Sequence, residues 1–192
     1  MTTETKKITS PLSREEAIKL KCGQSVLLSG TVYTARDAAH MRLMELLKKD
    51  EKLPFEIDGA IIYYVGPTPE KPGQMIGSAG PTTSYRMDGT APTLIKAGLT
   101  GMIGKGKRSP QVIKSMQEHG AVYLGAIGGA GALLSECIIS SEIIAYEDLG
   151  AEAIRKLEVK DMPLIVVIDS QGNSLYKQGR EEYLRWKVGD LS

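Results

Sequence analysis

The sequence predicts a mixed α/β fold, and three observations carry that prediction. Short apolar runs of strand length recur at 25–33, 59–66, 99–104, 138–146 and 163–169. Segments with helical spacing or helix-start residues stand between several of them, and no internal repeat is visible. The 192 residues suit one domain with its own core, expected over 11–192 behind a polar tail at 1–10. Aromatic residues make up only 5% of the chain against 42% apolar, so that core must be mainly aliphatic. With 24 basic and 23 acidic side chains the formal charge is +1, which gives no global attraction to nucleic acid or an anionic membrane. Any cationic site must be local. The N-terminal MTTETKKITS has no apolar signal core, and no segment approaches the roughly 20 apolar residues that cross a bilayer, so a cytoplasmic protein is expected.

In chain order, Ser13-Arg14-Glu15-Glu16 has the pattern of a capping box opening a short helix that ends near Cys22-Gly23. SVLLSGTVY (25–33) reads as a strand bent or bulged at Gly30. Thr34 is placed to cap a helix from Ala35 to about Lys48, with Ala39, Leu43, Leu46 and Leu47 on one face. GAIIYYVG (59–66) is a buried strand, followed by an extended loop through Pro67, Pro69 and Pro72. The irregular stretch GQMIGSAGPTTSYRMDG carries too few charges for a solvated linker, which marks it as functional, and a helix follows around Thr93–Ala97. LTGMIG (99–104) is a strand, and Ser109-Pro110 opens a helix to about His119. Further strands are predicted at Ile138–Tyr146 and Pro163–Asp169, with turn residues from Asp169 to Asn173 and a surface helix at the C-terminal EEYLRWK.

Three of these features set cations beside a helix start. Arg36 lies in the first turn of the 35–48 helix, Arg86 precedes the helix in the 90s, and Lys105, Lys107 and Arg108 precede Pro110. The helix dipole disfavours a cation there unless an anion is bound or a carboxylate answers it. The pattern leaves open a dicarboxylate or phosphate trap on one side, and piecewise neutralisation by Asp37 and Asp88 on the other. Thr82, Thr83 and Ser84 could hydrogen-bond a carboxylate or simply form a turn. The glycines from Gly125 to Gly131, like Gly104-Lys105-Gly106, lack the spacing of nucleotide-binding loops, so close backbone packing or loop motion accounts for them better. His40 and His119 fit surface or cap roles, although His40, one turn beyond Arg36, could share its site. Cys22 and Cys137 form no metal-binding pattern and read as structural thiols.

SGTVYTARDAAH (29–40), GPTTSYRMD (80–88) and GKGKRS (104–109), in that order and spacing, resemble the β subunit of two-subunit class I fumarate hydratases, or the C-terminal domain of the single-chain enzymes. The resemblance covers nearly the whole chain. The β subunits of L-tartrate dehydratase are similar as well, and Lys107-Arg108-Ser109 tilts the comparison toward fumarase. The resemblance implies a swivelling β/β/α domain, with a β-rich core and flanking helices. It implies reversible hydration of fumarate to L-malate, with mesaconate and tartrate as alternative substrates. A [4Fe-4S] cluster would be held by three cysteines of an α partner, not by this chain, in an α2β2 assembly. Arg36, Arg86, Lys105 and Thr83 would bind the dicarboxylate, with Lys105 also polarising it, and Thr82 would match the catalytic base. A non-catalytic anion- or nucleotide-binding module and a scaffold subunit are the competing functions.

Overall fold

The computed structural model describes residues 5–70, 75–126, 131–179 and 183–184. Its organising element is the strand β7 (Ile154–Ile168), 15 residues long. One edge of β7 pairs antiparallel with β2 (Ser25–Thr34), from Ser25↔Ile165 to Tyr33↔Lys156. The other edge pairs with β5 (Val122–Ala126) near its end and with β6 (Ile138–Ala145) near its start. Between β2 and β5 lie β3 (Ile61–Tyr63) and β4 (Gly101–Gly104), all four parallel to one another. Strands β2, β3, β4, β5 and β7 therefore close into a ring. β1 (Lys6–Ser10) lies parallel to the first half of β2, and β6 flanks β7.

Alternation along the strands divides the core. Ile61, Tyr63, Ile103, Val122 and Leu124 point into the ring with Val26, Leu28, Val32, Leu157, Leu164 and Val166. Ile62, Tyr64, Met102 and Tyr123 point outward, beneath α2 (Asp37–Lys48), α3 (Ala91–Lys96) and α4 (Pro110–His119). The helices answer with Ala39 and Leu43, with Leu94 and Ile95, and with Val112 and Met116. Burying each large aliphatic side chain contributes about 1.5–3 kcal/mol. The apolar runs of β3 and β4 are explained by burial on both faces. A mixed α/β architecture with a β-rich core and flanking helices is thus what the chain adopts.

Several expectations need correction. Residues 6–10 form a paired strand, not a polar tail, since β1 borrows its hydrogen bonds from β2. The first helix, α1 (Arg14–Ala17), stops well before Cys22, although Ser13 Oγ does accept from the Glu16 amide as the capping pattern required. Thr34 does not cap α2; its hydroxyl donates to Ala153 O and accepts from Arg155 N, tying β2 to β7. β7 begins nine residues before Pro163, because IRKLEVKDM hides a half-buried strand in a charged alternation. Most of the predicted C-terminal helix lies outside the described residues. The Asp169 turn forms as expected, its carboxylate accepting from the amides of Gln171 and Asn173.

The bend expected at Gly30 is present as a register shift between β2 and β7 after Leu28. Gly30 has φ 105°, and a Cβ there would lie 2.3 Å from Ser10 O, so β1 can approach β2 only at a glycine. Gly30→Ala should therefore destabilise the chain by ~2 kcal/mol or more, measured by urea unfolding.

Candidate functional site

Parallel strands in register end together, so whatever follows them shares one rim. Thr34 pairs with Tyr63, Tyr63 with Ile103, and Gly104 with Gly125, which brings Arg36, Gly66 and Lys105 to the same edge of the ring. Beyond Tyr64 the ends of β3 and β4 part, and Pro81–Thr83 is inserted between them. The Thr82 amide donates to Tyr64 O at 2.7 Å, and the Lys105 amide donates to Thr82 O at 3.3 Å. The Ser84 amide returns a bond to Lys105 O at 3.0 Å, and Thr83 faces Lys105 in an isolated parallel bridge. The 3-10 turn Ser84–Met87 then carries Arg86 back over Thr82.

Four charged groups on this rim, Glu152, Arg36, Asp37 and Arg86, form a continuous chain. Arg36 occupies the N-cap position of α2 without capping it; instead the Glu152 carboxylate accepts from the Ala38 amide at 3.1 Å and pairs with Arg36 Nη2 at 3.0 Å. Gly66 makes room for this arrangement, because a Cβ there would stand 2.5 Å from Arg36 Nη1. Asp37 Oδ2 lies 2.9 Å from Arg86 Nη1 and 3.9 Å from Arg36 Nη2. Arg86 Nη2 donates to Thr82 Oγ1 at 2.8 Å. Arg36 Nε and Asp37 Oδ1 are buried without hydrogen-bond partners. Lys105 and Lys107 are exposed and make no ion pair among the described residues. Arg36, Arg86 and Lys105 against Asp37 and Glu152 leave one net positive charge on a rim with free donors. Such an arrangement can bind a small dianion.

Arg108 does not join them. Its side chain is fully buried; Nε donates to Asp88 Oδ1 at 2.7 Å, and the guanidinium lies 5.2 Å from the ring centres of both Tyr64 and Tyr123. Asp88 Oδ2 also accepts from the Ser109 amide, the N-cap of α4, so this pair clamps the 82–88 segment to the 105–109 loop. Local neutralisation thus describes Arg108, which Asp88 answers, and Asp37 answers Arg86 as that reading also expected, while Lys105 has no ion-pair partner among the described residues. His40 is likewise no surface residue. It is 1% exposed, with Nδ1 2.8 Å from Thr90 Oγ1 and its ring edge-on to Tyr64. Burial, and then the charge of Arg108, pull its pKa from 6.5 down to about 3. His119 ends α4, ahead of a left-handed Gly120. Around the glycine-rich segment, Gly125 packs against Val167 and Gly131 against Ser78, while 127–130 lie outside the described residues.

An iron–sulfur cluster does not fit this chain's donors. A cubane cluster needs several thiolates converging on it. Cys22 and Cys137 contact different segments, Cys22 reaching Val167 and Gln178 and Cys137 reaching Leu133. The Cys22 thiol is pushed up to about 11 by burial and by Asp169, and burial raises Cys137 as well. Among the described residues no three His, Cys, Asp or Glu side chains converge to hold a metal.

A family model described as Fumarase C-terminus matches residues 2–179. The chain belongs to this fumarase C-terminus family. It is 40% identical over 173 residues to a Methanocaldococcus jannaschii protein named "Putative L(+)-tartrate dehydratase subunit beta", covering 87% of this chain and 89% of the relative. It is 42% identical over 153 residues to the aerobic class I fumarate hydratase of Escherichia coli K12 and 38% identical over 167 residues to fumarate hydratase 2 of Leishmania major. The fumarase C-terminus chain spans 28% and 29% of the lengths of those two relatives. Within the family fold, Glu152 is the rim residue that sequence reasoning missed. It lies 114 residues from the Ala38 amide it binds, and nothing local marks it. No described helix is long and apolar enough to cross a membrane.

Two measurements test the packing behind the rim. Arg108→Ala leaves Asp88 in a mostly buried site without its partner and should cost about 3–5 kcal/mol in urea unfolding. For His40, the unfolded chain takes up a proton near pH 6.5 that the folded one refuses until about pH 3. Stability from this group is complete above the unfolded value and declines as pH falls, by at most about 1.4 kcal/mol per pH unit. His40→Gln, which cannot titrate, should show a shallower loss of stability than wild type between pH 6.5 and 4.

Proposed function

We propose that this chain is the β subunit of a two-subunit hydro-lyase that interconverts fumarate and L-malate, supplying the cationic and acid/base half of a site completed by an α partner. The observation that carries the proposal is the single rim on which Arg36, Arg86, Lys105 and Thr82 meet. The forked guanidinium groups suit one carboxylate, and Lys105 adds a mobile point charge for the other. Thr83, beside Lys105 at the same insertion, offers a further hydroxyl.

In the malate-to-fumarate direction, Thr82 Oγ1, as its oxyanion, would take the proton from the carbon beside a carboxylate and become the neutral hydroxyl. The electron pair left behind would delocalise into that carboxylate as the double bond forms and hydroxide leaves the neighbouring carbon. Arg36, Arg86 and Lys105 would stabilise the added charge on the aci-carboxylate, and since Glu152 and Asp37 hold the two guanidinium groups beforehand, those two would need little reorganisation. A threonine hydroxyl is a poor acid, so the Arg86 donor at 2.8 Å matters twice: it favours an oxyanion at Oγ1 and it orients that oxygen. A [4Fe-4S] cluster would belong to the α partner, since the two separated thiols of this chain could not hold one. An α2β2 assembly in the cytoplasm is the corresponding whole.

L-tartrate dehydration is the second reading, favoured by the M. jannaschii relative, which aligns over nearly its full length. Arg108, buried against Asp88, cannot decide between the two by touching substrate. Anaerobic reconstitution of the α and β chains with iron and sulfide should give fumarate turnover that needs both chains, with kcat/KM for fumarate above that for mesaconate and L-tartrate. Arg86→Ala and Lys105→Ala should each lower kcat/KM by about 10²–10³-fold without unfolding the β chain. No turnover on any of the three acids would overturn the hydro-lyase reading. Tight phosphate or nucleotide binding by the wild-type chain in a thermal-shift screen would then favour an anion-binding module.

A further inference from the structure

The rim proposed to bind a dicarboxylate holds two carboxylates of its own. A negative charge among substrate-binding cations weakens their pull on a dianion, so each of the two calls for a physical reason. Glu152 has one in the backbone: it accepts from the Ala38 amide and thereby supplies the cap that Arg36 cannot. Asp37 has no such bond. It stands at the first position of α2, Glu152 already answers the Ala38 amide, and one of its oxygens, Oδ1, is buried with no partner. Its other oxygen is committed to the guanidinium groups, closest to Arg86 at 2.9 Å.

Arg86 in turn is engaged at both terminal nitrogens, Nη1 by Asp37 and Nη2 by Thr82 Oγ1 at 2.8 Å. A guanidinium is a rigid planar fork, so anchoring one Nη sets the direction in which the other points. The anchor is needed because Arg86 rises from a four-residue 3-10 turn, and its side chain is 35% exposed. A long side chain of that kind, left free, samples many rotamers. We propose that Asp37 is a positioning residue: through its Oδ2 it fixes the Arg86 fork so that Nη2 is presented to Thr82 Oγ1. The relay Asp37, Arg86, Thr82 joins the start of α2 to the segment inserted between β3 and β4. The inference rests on the hydro-lyase reading, in which Thr82 carries the proton.

The relay separates the two kinetic parameters. Asp37→Asn keeps the shape of the side chain and removes its charge. Substrate binding should be unchanged or tighter, because one negative charge has left the rim, while kcat should fall by about tenfold or more, because the donor to Thr82 is no longer held. Asp37→Glu, which keeps the ion pair, should recover most of the lost rate. If Asp37 merely neutralised the arginines, Asp37→Asn would lower KM and leave kcat unchanged, and that result overturns the proposal. A fall in kcat that Asp37→Glu does not relieve overturns it too.

The experiment is steady-state fumarate hydration by the reconstituted α and β chains, with wild type, Arg86→Ala, Asp37→Asn and Asp37→Glu run together. No turnover by wild type removes the hydro-lyase reading and this inference with it. An active wild type, a slow Arg86→Ala and a wild-type kcat in Asp37→Asn remove the inference alone. Guanidinium NMR of the full β chain gives a readout that does not depend on turnover. In wild type the two Nη groups of Arg86 should give separate signals, since rotation about Cζ–Nε is hindered by bonds at both ends. In Asp37→Asn they should average, and separate signals in that variant overturn the proposal.

Discussion

The double pairing of β7 is the constraint on which the rest of the molecule depends. A strand that hydrogen-bonds β2 along one edge and β5 and β6 along the other closes the sheet into a ring. Closure removes the open edges between β2 and β5 and forces their parallel strands to end on one rim. It also sorts the side chains, because alternate residues must either fill the ring or meet the helices outside it. Neither outcome is local. The polar half of β7, with Lys156, Glu158 and Lys160 turned outward, is as necessary to it as the apolar half.

The charges on the rim are held by two different devices, and the contrast explains which residues are available to a ligand. Arg108 is withdrawn from solvent, gripped by Asp88 and flanked by Tyr64 and Tyr123, so its charge is spent on joining two loops. Arg36 and Arg86 are paired as well, but at partly open positions, and Arg36 keeps a buried Nε without a partner. A buried ion pair broken on one side leaves a stranded charge, whereas a partly open pair can exchange partners with an incoming anion. The same basic motif, Lys105 through Arg108, thus contributes one exposed cation to the rim and one internal strut.

The fumarase C-terminus chain aligns with nearly all of an archaeal protein named as a β subunit and with 28% of an E. coli enzyme, so further elements accompany it in that relative. Its two thiols are separated, and burial favours their protonated form. The rim supplies cations, a hydroxyl and positioned carboxylates. Under the proposed hydro-lyase reading, those groups bind and deprotonate a small acid.

Sequence alone determined the class of fold and most of its elements, because strand length, glycine position and helix-start residues are local properties. Gly30, Ser13 and Ser109 act where they were expected to act. Sequence also put the cations beside helix starts and, through three short motifs, suggested the family. It could not separate Arg108 from Arg36 and Arg86, since burial depends on Tyr64 and Tyr123, distant in the chain. It left His40 between a surface or cap role and a place beside Arg36, and it did not find Glu152, because the neighbours of both come from elsewhere in the fold. The joining of Thr82 to Lys105 was decided only by tertiary structure. That contact exists because a loop entered the gap where two parallel strands diverge, and backbone hydrogen bonds between distant segments leave no mark on the residues that make them.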